Sequence, residues 1–218
     1  MDILKDFRFP LLRSSFYMQY DTYKEHARKV DQFLESEANE FKTRVETLAQ
    51  EMESYERDEY LEDMSEQFQE LKFELPSIQR RAELITIYTV LEHQIQRICQ
   101  VYEKALENPV KVKDLGSNGI IDQCRKYLEK VALVDFPSKH TSWVEITKIQ
   151  QLRNCVVHAD GLVKSGNNEL RAYIRGNHYL NLGRNGKIVI QSGYSEHCIN
   201  VFCDFLTELF SLMLKKST

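Results

Sequence analysis

"SIQRRAELITIYTVLEHQIQRICQVYEKALENP", residues 77–109, decides the architecture. Its apolar side chains Ile85, Tyr88, Ile95, Cys99, Tyr102 and Leu106 recur three and four residues apart, the period of an α-helix that buries one side. Ser77 is placed to cap its start, and Asn108-Pro109 ends it at about residue 107. A helix this long and this apolar is the centre of a bundle. Glu92 is the one charge on its stripe.

Upstream, residues 14–72 are nearly free of Gly and Pro and repeat Val30, Phe33, Leu34, Phe41, Val45, Leu48 and Met52 at helical spacing. A long helix and a shorter one are expected, divided at "ESYERDEY" (53–60), with Pro76 closing the section. Downstream, one helix is expected over 120–131 after "LGSNG", and another from Thr141-Ser142 to Gly161, a favoured left-handed C-terminal residue. The period then changes. "HYLNL" and "KIVIQSG" flank "GRNG" (183–186), where Asn185-Gly186 favours a tight turn between two strands. The last helix, 194–216, carries Cys198, Val201, Phe202, Phe205, Leu206, Leu209 and Leu212 along one side. The expected class is mainly α: a helical bundle over 77–218 with one small β-hairpin before the C-terminal helix, preceded by a long acidic N-terminal helical extension over 1–76.

The whole chain agrees with this class. Its 218 residues, 42% hydrophobic and 28% charged, suffice for one large domain or a domain with an extension. No run approaches the ~18 continuous apolar residues of a membrane span, and "MDILKDFRFPLLRSSF" is a poor signal peptide. The five cysteines are scattered without a C-x-x-C pair, so reduced thiols in a soluble cytoplasmic protein are expected, with neither disulfides nor a zinc site nor a membrane. The net charge of −4 hides an asymmetry: residues 1–76 hold 10 Lys/Arg against 19 Asp/Glu, a balance of −9, and residues 77–218 hold 19 against 14, a balance of +5. The stretch 51–70 carries nine acids and one arginine, which reads first as a solvated helix face.

"IQQLRNCVVHADG" (149–161) carries the chemistry. At roughly 100° per residue, Ile146, Ile149, Val156 and Val157 share a sector with Arg153 in its middle, whereas Thr147, Gln151, Asn154 and His158 form a polar stripe. A buried guanidinium needs a partner, and Glu92, on the neighbouring apolar stripe, is the expected one across an antiparallel helix pair. Such a pair can simply fix helix register, and a histidine at a helix C-terminus can simply serve the helix dipole. The remaining histidines (His26, His93, His140, His178, His197) lack paired-ligand spacing, and no phosphate-cradling glycine loop is present, so neither metal nor cofactor is expected.

With its asparagine, "RNCVVH" resembles the Arg-x4-6-His signature of the HEPN superfamily of helical bundles, and "IYTVLEHQIQRIC" (87–99) resembles that family's preceding acidic core helix. The resemblance covers roughly residues 80–215. It implies a metal-independent endoribonuclease of antiviral defence or toxin–antitoxin systems, working as a homodimer in which two motifs face one cleft. Under that implication Arg153 stabilises charge on the transition state, His158 and its two-fold mate act as base and acid, Asn154 orients the histidine or bonds the phosphate, and Glu92 holds Arg153. Imidazole, with an ordinary pKa near ~6.5, suits both proton transfers. The substrate would be RNA, the products a 2′,3′-cyclic phosphate and a 5′-hydroxyl, and a separate antitoxin or regulatory protein would restrain the enzyme. One toxin branch has tyrosine two residues after the histidine as a modification target; this chain has Asp160 there. The alternative is a non-catalytic member of the same fold that binds a partner protein or nucleic acid.

Overall fold

A computed structural model describes residues 8–106, 108–116 and 119–215. The expected helix end at Glu107, part of "LGSNG" and the end of the last helix at Lys216 lie outside the described residues. The elements run α1 (Arg8–Gln50), α2 (Ser54–Gln69), α3 (Leu75–Ala105), α4 (Ile120–Lys130), α5 (Thr141–Ala159), α6 (Asn168–Gly176), β1 (Leu180–Leu182), β2 (Ile188–Ile190) and α7 (Tyr194–Lys215). The chain is therefore mainly helical, with one antiparallel hairpin among the described residues, placed before the last helix.

Two boundaries differ from expectation. The chain reverses at residues 51–53, and "SYERDEY" is already the start of α2. Arg57, the one base of the acidic run, closes the reversal by donating from Nε to the Ala49 carbonyl (3.1 Å) and from Nη2 to that of Met52 (3.1 Å). These carbonyls lie at and just past the end of α1, where the helix offers no full next turn; the Ala49 carbonyl also accepts the Met52 N–H at 3.4 Å. Nor does Pro76 end a helix, and Ser77 does not cap one. α2 passes into α3 through a π-helical turn, Glu70–Glu74, in which the Leu75 N–H bonds the Glu70 carbonyl five residues back. Pro76 then falls in the first turn of α3. The wide turn displaces the carbonyl that the proline ring would strike and absorbs its missing N–H, so the helix continues.

α7 lies in the core. Phe202 packs against Tyr20 of α1 (6.2 Å between ring centres) and Tyr88 of α3 (6.3 Å), and Phe210 against Phe16 (6.3 Å). By length and composition α7 could also span a bilayer, but Cys198, Phe202, Phe205, Leu206, Leu209 and Phe210 are buried within the bundle. The hydrophobic cluster takes in Leu12, Phe16 and Tyr20 together with α3, α4, α5 and α7, so packing crosses the expected boundary at residue 76. Asp31 fastens α1 further: it accepts from Arg80 Nε (2.9 Å) and from Ser192 Oγ (2.7 Å). Only the second half of α1 projects with α2. Its buried residues there are Ala38, Phe41, Val45 and Ala49, small alanines allowing close approach, while Phe33 and Leu48 of the expected stripe are exposed.

The hairpin register pairs Leu180 with Ile190 and Leu182 with Ile188. Its turn is closed by the Gly186 N–H on the Gly183 carbonyl (2.9 Å), and Gly186 adopts φ +75°. Arg184 and Asn185 are thus the central pair, and Gly186 supplies the left-handed residue that returns the chain to the ladder. α6 is an element that the sequence reading left unassigned. Its signals are ordinary: Asn167 caps the Leu170 N–H (3.2 Å), Glu169 lies in the first turn, Arg175 in the last, and Leu170 and Ile174 are buried.

Candidate functional site

The site is built where α5 crosses α3. His140 caps α5, its Nδ1 accepting from the Ser142 N–H (3.3 Å). At the other end Asp160 (φ 49°) and Gly161 (φ 76°) are both left-handed and stop the helix. Ile146, Ile149, Leu152 and Val156 face the core. Val157 does not; it is 42% exposed, so Arg153 stands at the edge of the buried arc rather than in its middle.

Arg153 is half-buried. Its Cζ lies 5.8 Å from the centre of the Tyr88 ring, and Nη1 donates to Asn154 Oδ1 (3.1 Å). Its Nε is enclosed and donates to no group. The expected Glu92–Arg153 ion pair does not form: half-buried Glu92 makes neither a hydrogen bond nor an ion pair. Burial raises the Glu92 pKa, and the charges of Arg153 and His93 only partly oppose it. Helix register explains the miss. Asp160 pairs with Arg81, and Arg153 meets Tyr88, seven residues along each antiparallel helix. Glu92 therefore comes level with Ile149, one turn away from the guanidinium. Tyr88 takes the place beneath Arg153. Its Oη is buried and unpartnered, and the phenol is held above its ordinary pKa by burial first, then by Glu92, against Arg153.

Asn154 and His158 are exposed and one turn apart on the same side of α5, as their spacing predicts. Arg153 lies at the adjoining edge, ~140° round an ideal helix from His158, and its Nη1 reaches Asn154 Oδ1. His158 and Arg153 of one chain therefore flank Asn154 from different sides. Two residues on, Asp160 has a structural task. Its carboxylate accepts from Lys187 of the hairpin loop and Arg81 of α3, which lower its pKa to about 2. The main chain reinforces this junction: the Ile188 N–H bonds the Gly161 carbonyl (2.9 Å) and the Val163 N–H bonds that of Gly186 (3.1 Å). Arg81 Nη2 also lies 3.5 Å from where a Cβ on Gly161 would project. The end of α5 bearing His158 is thereby held by α3 and by the hairpin.

A second polar cluster was not anticipated from sequence. Glu145 accepts from Tyr173 Oη (2.6 Å) and lies 3.2 Å from His197 Nε2, and Tyr173 Oη is 3.3 Å from that of Tyr194. The hydrogen bond to His197 is the leading cause of the lowered Glu145 pKa, and that of Tyr173 adds to it. These bonds tie α5, α6 and α7 together; with α6 unassigned, Tyr173 had no place in the sequence reading. Among the described residues no group of three or more His, Cys, Asp or Glu could hold a metal ion. The five cysteines are unpaired.

Chemically, the α5 face offers a guanidinium and an amide for an anion, and one imidazole for proton transfer. Comparison with family models, curated proteins and solved structures finds no match to this chain, so the family resemblance rests on the residues quoted above.

Proposed function

We propose that the chain is a metal-independent endoribonuclease of a defence or toxin–antitoxin system, cleaving RNA by 2′-hydroxyl attack at a site shared between two copies. The observation that carries this reading is that, among the described residues, Arg153 has no carboxylate partner, Asn154 bonds only Arg153, and His158 bonds no group. The guanidinium is not neutralised by Glu92, and the imidazole makes no hydrogen bond and faces solvent. A purely structural arginine would be enclosed with its carboxylate. In the proposed reaction Arg153 and Asn154 bind the scissile phosphate and Arg153 stabilises the phosphorane-like transition state. One His158 takes the 2′-proton, and its mate from the second copy protonates the departing 5′-oxygen. The exposed apolar side chains Val144, Val157 and Leu162 flank this face and suit coverage by a second copy. Lys164, Arg175 and Arg184 are exposed in the basic part of the chain, whereas Lys187 is occupied by Asp160 and Arg171 by the Val163 carbonyl.

The test compares wild type with His158→Ala on total cellular RNA in EDTA, with the new ends mapped. Discrete fragments bearing 2′,3′-cyclic phosphate, made only by the wild type, support the nuclease. Their absence favours the second reading, a binding module without catalysis. That reading draws on the second half of α1 and α2, where Phe33, Tyr55 and Leu61 are exposed among acidic residues.

A further inference from the structure

One turn from the motif, a cavity of about 380 Å³ opens between α3, α4 and α5. Tyr88, Ile121, Trp143, Ile146, Thr147 and Gln150 are among its walls. The volume lies in the range that accepts small molecules. We infer that this cavity is a nucleobase subsite that seats the base of the nucleotide whose phosphate lies at Arg153 and Asn154. The inference rests on the ribonuclease reading for the source of the base, and on the cavity alone for its chemistry.

Three features select a flat heteroaromatic ring. The walls are mostly apolar, and Trp143 is fixed by Phe136 edge-on (4.8 Å) and by Phe205 (5.6 Å), so a stacking surface is already ordered. The lining also carries hydrogen-bonding capacity that no protein group uses. Neither the Gln150 amide nor the Trp143 indole N–H bonds another protein group, whereas the Tyr88 Oη is enclosed behind the wall that its ring helps to form. An amide that both donates and accepts matches the edge of a base. Position is the third feature. Gln150 precedes Asn154 by one turn on the same side of α5, ~6 Å between Cβ atoms, and Tyr88 lies under Arg153. A phosphate on the motif would hang its base over this opening. Asp122 and Arg125, also among the lining residues, pair with each other (2.6 Å), so this side of the cavity offers no free cation for a second phosphate among the described residues.

Trp143 is the chain's single tryptophan, so it reports the cavity directly. Its fluorescence, excited at the red edge of its absorption, is titrated with the four nucleoside 3′-monophosphates and, as a base-free control, ribose 5-phosphate. The full-length wild type, Gln150→Ala and Thr147→Phe, which fills the cavity from its margin, are compared after circular dichroism has checked their folding. Saturable quenching by nucleotides, absent with ribose 5-phosphate, about three- to tenfold weaker in Gln150→Ala and lost in Thr147→Phe, supports the subsite. No saturable change, an equal change with ribose 5-phosphate, or unaltered affinity in both variants overturns it. RNA cleavage separates the two readings. Quenching without cleavage by wild type sinks the nuclease and leaves a nucleotide-binding cavity; cleavage without quenching sinks the subsite and leaves the nuclease. Where both occur, Gln150→Ala shifts the base found at the cut ends, and an unshifted distribution removes the base from this cavity.

Discussion

Replacing Arg153 by methionine separates a functional guanidinium from a structural one. Methionine keeps the apolar stem that packs at the edge of α5 and removes the charge. On the losing side are the contact with the Tyr88 ring at 5.8 Å, about 0.5–1 kcal/mol at a half-exposed site, and the exposed hydrogen bond to Asn154 at 3.1 Å, about another 0.5–1 kcal/mol. On the gaining side, the enclosed Nε–H that bonds nothing disappears, and an unsatisfied buried donor costs about 1–3 kcal/mol. The terms nearly cancel, so Arg153→Met unfolds in urea within about 1 kcal/mol of wild type. Cleavage of RNA falls by about 10²–10³, the usual loss when a donor to a transition-state oxyanion is removed. Urea midpoints and initial cleavage rates, measured on the same preparations, decide it. A loss of stability beyond about 3 kcal/mol would show that Arg153 holds the helices together, and an unchanged rate at unchanged stability would remove it from the chemistry.

Three further outcomes follow from the packing and the charges. Phe202→Ala empties the contact between α1, α3 and α7 and lowers the unfolding free energy by about 3–5 kcal/mol; a loss under 1 kcal/mol by urea titration would mean that α1 is not part of the core. Asp31→Ala leaves Arg80, 19% exposed, with only the Ile190 carbonyl at 3.3 Å and costs about 1–3 kcal/mol, less than a fully buried pair because both groups still meet solvent. For Asp160 the folded pKa of about 2 lies below the carboxylate's ordinary 3.8, so its ion pairs stabilise the fold above that ordinary value and the contribution fades as pH falls toward 2. Asp160→Asn therefore melts lower than wild type at pH 7, and the gap narrows below pH 4; because the carboxylate is exposed, added salt narrows it too, and a pH-independent gap in thermal melts would contradict the assignment.

Local signals in the chain were enough for most of the elements and for the polar side of α5, but not for α6, the α2–α3 junction or the exposure of Val157. Helical spacing set α3 and α7, the change to strand period set the hairpin, and the four-residue step from Asn154 to His158 placed both on one exposed side. Each of these depends on residues within a few turns of one another. What the spacing could not supply was the register between helices. Glu92 and Arg153 are opposite charges on facing stripes, yet the register that brings Asp160 to Arg81 puts Tyr88, not Glu92, at the guanidinium. Pro76 looked like a stop because a proline is judged against an ordinary α-helical turn, and the π-turn before it changes that turn. The division at residue 76 reflected composition, whereas Phe16 and Tyr20 pack on rings from α7 far away in sequence. The residue types, their period and the motif belong to the sequence. Which side chain lies under Arg153, which cavity lies beside it and which half of α1 enters the core depend on long-range packing, because a core closes by fitting volumes from distant segments and no local pattern encodes that fit.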